Sequence, residues 1–218
     1  MTDRVAIIMP IFPGNDHPRI RRAVESIYMQ TFWDWHLYMV YDGPCVPFIP
    51  LDTRRITIIF APHQGAGLCR AQAIEMGREP FIAYLDHDDR WHQEHLEILL
   101  PGVERHDFVF SKGLGFGGPM TGRDEQVLPD GRALFPPPYW NPAYLDRQNV
   151  TPAIGVMHTR DLYERTGSWQ TERWEDWRLW QRMAAIKQPV HIDMITYEYE
   201  IRPGSLSETA EKMGRGII

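Results

Sequence analysis

The sequence predicts an α/β fold: one domain built on a mostly parallel central sheet with helices on both faces. Three observations carry this. Short apolar runs alternate with helical patterns over the first hundred residues, at the spacing of strands joined by crossover helices. The runs are continuous rather than alternating, as in strands buried on both faces. A chain of 218 residues with 43% hydrophobic content is also long and apolar enough to bury one large core.

Residues 5–9 form the first apolar run, closed by Pro10. Asn15 or Asp16 is placed to cap the next helix, with Pro18 in its first turn and Ile20, Val24 and Ile27 on one face. Residues 37–41 make a second strand ended by Asp42-Gly43-Pro44, and residues 56–60 a third. A helix over 66–76, a strand over 81–85 and a helix over 91–100 with Leu96, Leu99 and Leu100 inward follow. Residues 113–149 change character: they are rich in Gly and Pro, include Pro136-Pro137-Pro138, and read as a long, partly mobile excursion over a site. Beyond it we expect a strand over 153–158, helical stretches from Asp161 and from Trp174, and strands over 190–192 and 196–201.

The net charge of −6 argues against a nucleic-acid partner, which needs a basic face, but allows a single nucleotide. Cys45 and Cys69 form no metal-type pair, so a reduced, cytoplasmic protein is the default. No secretory leader or membrane-length apolar run is visible, which leaves only peripheral membrane contact open. Asn149-Val150-Thr151 matches a glycosylation sequon and is read as chance.

In open α/β sheets, ligands bind beyond the carboxyl ends of the strands, and the polar clusters fall there. The first strand runs into residues 10–15, the second into Asp42-Gly43, the third into residues 63–67, and the fourth into Asp86-His87-Asp88-Asp89. Three carboxylates in four residues repel one another unless a hard cation sits among them. Mn²⁺ or Mg²⁺, held by one or two carboxylates and a substrate diphosphate, fits that arrangement. Capping of a following helix would need only one Asp.

A zinc site of His87, His92 and His95 with Glu94 lacks the known spacings, and His92 and His95 are expected on the solvent face of a helix. The glycines at 113, 115, 117 and 118 have no helix after them and suggest a flexible loop rather than a dinucleotide fingerprint. Glu172, Glu175 and Asp176 suit the first turn of a helix by its dipole. Trp174, Trp177 and Trp180, spaced by three, read as core, while Trp140 and Trp169 are loop candidates for an acceptor groove.

Taken in order, these segments resemble the family 2 glycosyltransferases of the GT-A fold. Val5-Ala6-Ile7-Ile8-Met9-Pro10 resembles the family's opening strand, and residues 23–35, AVESIYMQTFWDW, its Ser-to-Trp stretch around Gln-Thr-aromatic. Asp42-Gly43, residues 67–73, the LDHDD of 85–89, Glu175-Asp176 and the RPGSLS of 202–207 resemble the later motifs. The resemblance implies an inverting enzyme that moves a sugar from a nucleotide diphosphate-sugar, a UDP-sugar first of all, to a carbohydrate or other hydroxyl acceptor. It implies Pro10 and Asp42 beside the base, Arg70 on the nucleotide or diphosphate, Asp86 on ribose or metal, Asp88 as main ligand of Mn²⁺ or Mg²⁺, and Asp176 as general base. It also implies that residues 1–112 bind the donor and residues 113–218 form the acceptor-binding, catalytic half.

Tyr41 stands where the family usually has an acid, Gln72 where Asn is common, and Arg202 where a His often binds metal or diphosphate. Arg202 is therefore expected on phosphate rather than on metal. Two other classes remain open. One is a non-catalytic sugar- or nucleotide-binding module on the same scaffold. The other is a sugar nucleotidyltransferase, although residues 12–16 lack its Gly-rich basic loop.

Overall fold

The computed structural model describes residues 4–14, 17–116, 126–136, 145–147, 149, 151–171 and 174–201. The expectations placed on Asn15, Asp16, Gly117, Gly118, Pro137, Pro138, Trp140, Glu172, Arg202 and the rest of the 202–207 motif lie outside these residues.

Four strands begin the fold: β1 (Val5–Ile11), β2 (Trp35–Asp42), β3 (Ile56–Ala61) and β4 (Phe81–Tyr84). All are mutually parallel, in the order β3-β2-β1-β4. Every residue of β1 is buried, as its unbroken apolar run requires. Pro10 fits because Ile8 pairs with Tyr84 at the end of β4, and Pro10, two residues on, aims its missing N–H past that end.

The sheet continues through β9 (Val156–Thr159), β6 (Phe108–Phe116), β10 (Val190–Glu200) and β5 (Arg90–Trp91). β9 is antiparallel to β4 and β6, and β10 is parallel to β6. β1 to β4, β6 and β10 therefore all point the same way, and their carboxyl ends share one edge. The short strands β7 (Gln126–Val127) and β8 (Ala133–Phe135) extend from β6.

The side-chain period of two sorts the core into two layers. Val5, Ile7, Met9 and Ile11 of β1 face α1 (His17–Tyr28) and α3 (His95–His106). Ala6 and Ile8 face α2 (Ala66–Met76), α4 (Arg160–Thr166) and α5 (Glu175–Ile186). α1 buries Ile20, Ala23, Val24 and Ile27, the stripe of a helix with one apolar face.

Three expectations change. The segment 91–94 is not helical: Trp91 lies in β5, opposite Tyr197, and the helix begins only at His95 and runs on through Pro101 to His106. His95 is thus not on a solvent face. It is fully buried, stacked on Trp91, with Nδ1 2.7 Å from Thr196 Oγ1. Burial depresses its pKa to about 3.

Gly113 and Gly115 are strand residues, not a flexible loop. A Cβ at Gly113 would lie 1.9 Å from the Tyr197 ring and one at Gly155 2.5 Å from it, so the two glycines make the slot that this buried ring fills. The two strands expected at 190–192 and 196–201 are one strand, β10, kinked by register shifts between Ile192 and Tyr197. Among the described residues, no helix is long and apolar enough to cross a membrane.

Candidate active site

The shared strand edge gathers five of the predicted site residues into contact chains, with Pro10 buried in β1 below them. Asp42, the last residue of β2, is fully buried. Its two oxygens accept the backbone N–H groups of Gln64 (2.7 Å) and Gly65 (3.0 Å), just ahead of α2. His63 Nδ1 lies 3.3 Å from Asp42 Oδ2. In this structure Asp42 orders the turn into α2. Tyr41 explains its own departure from the acidic pattern: its hydroxyl donates to the Phe48 carbonyl at 2.8 Å and accepts the Phe48 N–H at 2.9 Å. It fastens the loop after β2, and burial raises its pKa to about 12. Gln72 accepts a hydrogen bond from Gln64 at 3.0 Å, bracing the same turn.

Arg70 is the hub. Only 5% exposed, it donates to Asp86 at 2.8 Å and to Glu175 at 3.4 Å. Its guanidinium lies 4.9 Å from the centre of the Trp169 ring, a cation–π contact. Burial works against its charge, but Asp86 and Glu175 outweigh that and raise its pKa. Trp169 is therefore a buried floor beneath Arg70 and not an open sugar platform. Its indole N–H reaches the Tyr84 hydroxyl at 3.3 Å, and that hydroxyl lies 2.6 Å from His158 Nε2.

The turn after β4 divides its acids by exposure: Asp86 and Asp88 are half-buried at the edge, whereas His87 and Asp89 are buried. Asp89 Oδ1 accepts the Glu200 N–H at 2.8 Å, while its Oδ2 is buried with no partner among the described residues. Burial, then the neighbouring Asp88 and Asp86, push the Asp89 pKa well above the ordinary range. Arg22 donates to the Asp88 carbonyl at 3.0 Å. Glu200 is gripped by Arg19 (2.7 Å) and Arg22 (2.6 Å). Its burial favours the neutral form, but these two arginines win and leave its pKa lowered. Sequence reasoning passed over Arg19, Arg22 and Glu200 because no local pattern joins positions so far apart.

Glu175 and Asp176 open α5 after Trp174, whose φ of 61° is left-handed and costly for a bulky residue. Neighbours on a helix diverge by about 100°. Glu175 turns to Arg70, with a pKa raised by burial against the pull of that arginine. Gly67 permits this approach: a Cβ there would sit 2.7 Å from the Gln170 carbonyl and 3.3 Å from Glu175 Cγ. Asp176 turns the other way, and its Oδ2 accepts from Asn149 Nδ2 at 2.9 Å. The sequon asparagine is thus engaged within the fold. Of the three spaced tryptophans, Trp180 is fully buried, while Trp174 and Trp177 are half-buried. Trp177 ties α5 to the Leu145 carbonyl at 2.6 Å.

Among the described residues, no group of three or more His, Cys, Asp or Glu side chains is arranged to hold a metal by itself. His87, His92 and His95 are not brought together as such a group. The arrangement is compatible with a hard cation that takes one or two carboxylates from the chain and its other ligands from phosphate and water. Asp86 and Asp88, half-open at the edge beside an acid with an orphaned oxygen, have the chemistry for it.

The comparisons bear on the fold and the family. The Rhizobium meliloti succinoglycan biosynthesis protein ExoW is 28% identical over 116 residues, covering 48% of this chain and 35% of that protein. S. aureus TarS, solved in complex with UDP-GlcNAc, superposes with a TM-score of 0.69 at 14% identity, over 94% of this chain and 61% of that one. The mannosyltransferase PcManGT from Pyrobaculum calidifontis, in complex with GDP-Man and Mn²⁺, gives 0.64 at 14% identity, over 94% and 59%. At those identities the two structures establish the GT-A type of fold. The chain spans less than half the length of the curated relatives it matches. The model of glycosyl transferase family 2 matches residues 6–148, more than half of the sequence, and the chain belongs to that family.

Proposed function

We propose that the chain transfers a sugar from a nucleotide diphosphate-sugar to an acceptor hydroxyl, with inversion at the anomeric carbon. The observation that carries the proposal is the Arg70 hub. It joins an acidic turn at the end of β4 to the acidic first turn of α5, and so brings a diphosphate-binding group and a candidate base to one edge. A UDP-sugar is the donor class we favour, in keeping with the UDP-GlcNAc bound by TarS. Residues 1–112 supply the donor side and residues 113–218 the acceptor side.

In this reading Asp86 and Asp88 would hold Mn²⁺ or Mg²⁺. When bound, the cation would offset the charge that develops on the departing diphosphate. Arg70 keeps Asp86 oriented and adds positive charge next to it. Pro10 and the turn that Asp42 orders line the base end, and Arg202 contributes a phosphate contact. Asp176 accepts the proton of the acceptor hydroxyl while that oxygen bonds to the anomeric carbon. The bond from that carbon to the diphosphate oxygen breaks on the opposite face, and the nucleoside diphosphate leaves with the electron pair. Asn149 steadies the Asp176 carboxylate.

The test has two steps. Calorimetry with UDP and GDP, with Mn²⁺ and with EDTA, should show metal-dependent binding of a nucleoside diphosphate. A panel of sugar nucleotides with simple glycoside acceptors should then release the nucleoside diphosphate, with a product of inverted configuration by NMR. No binding of either nucleotide would end the proposal. Binding without transfer would leave a sugar-nucleotide-binding module, and a retained configuration would overturn the single-displacement step.

A further inference from the structure

Glu200 lies at the end of β10, more than a hundred residues from the turn that bears Asp86 and Asp88, yet it is tied to that turn twice. Its backbone N–H donates to Asp89 Oδ1 at 2.8 Å. Its carboxylate takes Arg19 through Nε at 3.0 Å and a terminal nitrogen at 2.7 Å, and Arg22 at 2.6 Å. The Arg22 nitrogen that binds Glu200 also donates to the Asp88 carbonyl at 3.0 Å. One guanidinium thus bridges the end of β10 and the backbone of the proposed principal metal ligand. Asp89, adjoining it, is pinned from the other side. The Glu200 side chain is about one-tenth exposed, whereas Arg19 and Arg22 are 31% and 38% exposed, so the bridge is anchored at its Glu200 end and borders solvent at the other.

From this arrangement we infer that Arg22 and Glu200 form a clasp that sets the position of the Asp88 backbone, and that Glu200 is a positioning residue for cation-assisted diphosphate binding. The inference rests on the metal reading given above. Its physical content is specific. The turn carries three carboxylates that repel one another, and β4 ends at Tyr84, before the acids begin. The Asp89 N–H closes the turn on the Asp86 carbonyl at 3.1 Å, and Arg22 adds a side-chain donor to the Asp88 carbonyl that lies between them. A clasp that orients a ligand acts only when the ligand is in use. Losses of about tenfold or more in metal affinity are usual when such outer contacts are removed.

The experiment uses the full chain and UDP as probe, titrated by calorimetry with saturating Mn²⁺ and again in EDTA. Glu200→Gln keeps the backbone bond to Asp89 and removes the charge that holds Arg22. We expect it to weaken Mn²⁺-dependent UDP binding about tenfold and to leave binding in EDTA unchanged. Arg22→Met keeps an unbranched apolar stem and removes the guanidinium whose one terminal nitrogen reaches both acceptors. It should give a similar loss, and it serves as the second probe if Glu200→Gln does not fold. The double variant should be no worse than the more severe single one, because both act through one contact. Equal losses with Mn²⁺ and in EDTA would mean a general fastener and would overturn the clasp. Undiminished Mn²⁺-dependent binding in the folded variants would overturn it too, with the metal reading intact. Wild-type binding indifferent to Mn²⁺ would remove the metal reading and the clasp with it.

Discussion

The two acidic segments of this edge, residues 86–89 and residues 175–176, each crowd carboxylates into a few positions, and the fold handles them in different ways. The first lies on a turn with arginines on two sides: Arg70 from α2 holds Asp86, and Arg22 from α1 holds the Asp88 main chain. The second opens a helix, and it separates its two acids by direction. Glu175 faces Arg70, and Asp176 faces Asn149. Burial raises the pKa of Glu175, even against Arg70. The contrast separates two tasks that adjacent acids can perform. Acids on a braced turn are held close together and can share a cation, whereas acids on a helix are turned apart and can act on different molecules.

The largest expected effect falls on the turn. Asp88→Ala should abolish Mn²⁺-dependent UDP binding and lower turnover by about 10³-fold, the scale of losing an electrostatic element that acts on developing charge. Calorimetry and single-turnover transfer assays measure the two together. A variant that binds UDP normally would break the assignment of the turn to the donor.

On the helix, the same logic predicts a split. Asp176→Asn should reduce kcat by at least about 10²-fold with donor affinity within a few-fold of wild type, as removal of a general base does. Glu175→Gln should do the reverse: it loosens Arg70, weakens donor binding several-fold and leaves most of kcat. If transfer survives in Asp176→Asn and is lost in Glu175→Gln, the base is the other member of the pair. If both variants keep transfer, the helix carries only its dipole.

A third difference lies below the surface. Under the Arg70 hub lies a buried stack of Trp169, Tyr84 and His158. Burial lowers the His158 pKa to about 4 from an ordinary 6.5. In the unfolded chain His158 takes up a proton below about pH 6.5, whereas in the fold it resists until about pH 4. Its contribution is therefore complete above about pH 6.5 and is lost as the pH falls through that window, on the order of 3 kcal/mol in all. His95, depressed to about 3, adds a loss of the same sign. Urea midpoints at pH 7.5 and pH 5 should differ accordingly. His158→Gln, which can still bond Tyr84 but cannot be protonated, should flatten part of the slope. An unchanged slope would place the acid sensitivity elsewhere.

How much of this was legible in the sequence follows from the range of each interaction. β1, β2 and β4 and the edge they share could be read directly, because a strand buried on both faces must be a continuous apolar run and its end must be polar. β3 has the same kind of run although it is a half-buried edge strand. Pro10 could close such a run because it falls past the last partner of β4. What depends on distant contact could not be read. Trp91 was expected in a helix but pairs with Tyr197, and His95 was expected in solvent but stacks in the core. Gly113 looked like a loop glycine because the ring that needs its missing side chain arrives 84 residues later, at Tyr197. The site divides in the same way. Asp86, Asp88 and Asp176 stood out as local clusters. The contacts that aim them, from Arg22, Glu200 and Asn149, come from elsewhere in the chain. For Asp42 the resemblance implies a base contact, and its hydrogen bonds to Gln64 and Gly65 add a bracing of the turn that only the folded chain shows.

The smallest expected effect tests whether Asp176 needs a guide as Asp88 does. Its described partners are its own helix, through the Trp177 N–H at 2.7 Å, and Asn149. Asn149→Ala removes one hydrogen bond, worth about 1 kcal/mol net, so kcat should fall about fivefold with donor affinity unchanged. Asn149→Asp should cost more, because it sets a second carboxylate within hydrogen-bonding distance of the first and the two repel. The exchange Asn149→Asp with Asp176→Asn decides what matters. It keeps one amide and one carboxylate in contact but moves the carboxylate to the other side of the pair. If the acceptor proton must go to an acid fixed on α5, the exchange should be as inactive as Asp176→Asn alone. Recovery of turnover in the exchanged protein would mean that any carboxylate in that corner suffices, and that the direction imposed by the helix is not what selects the base.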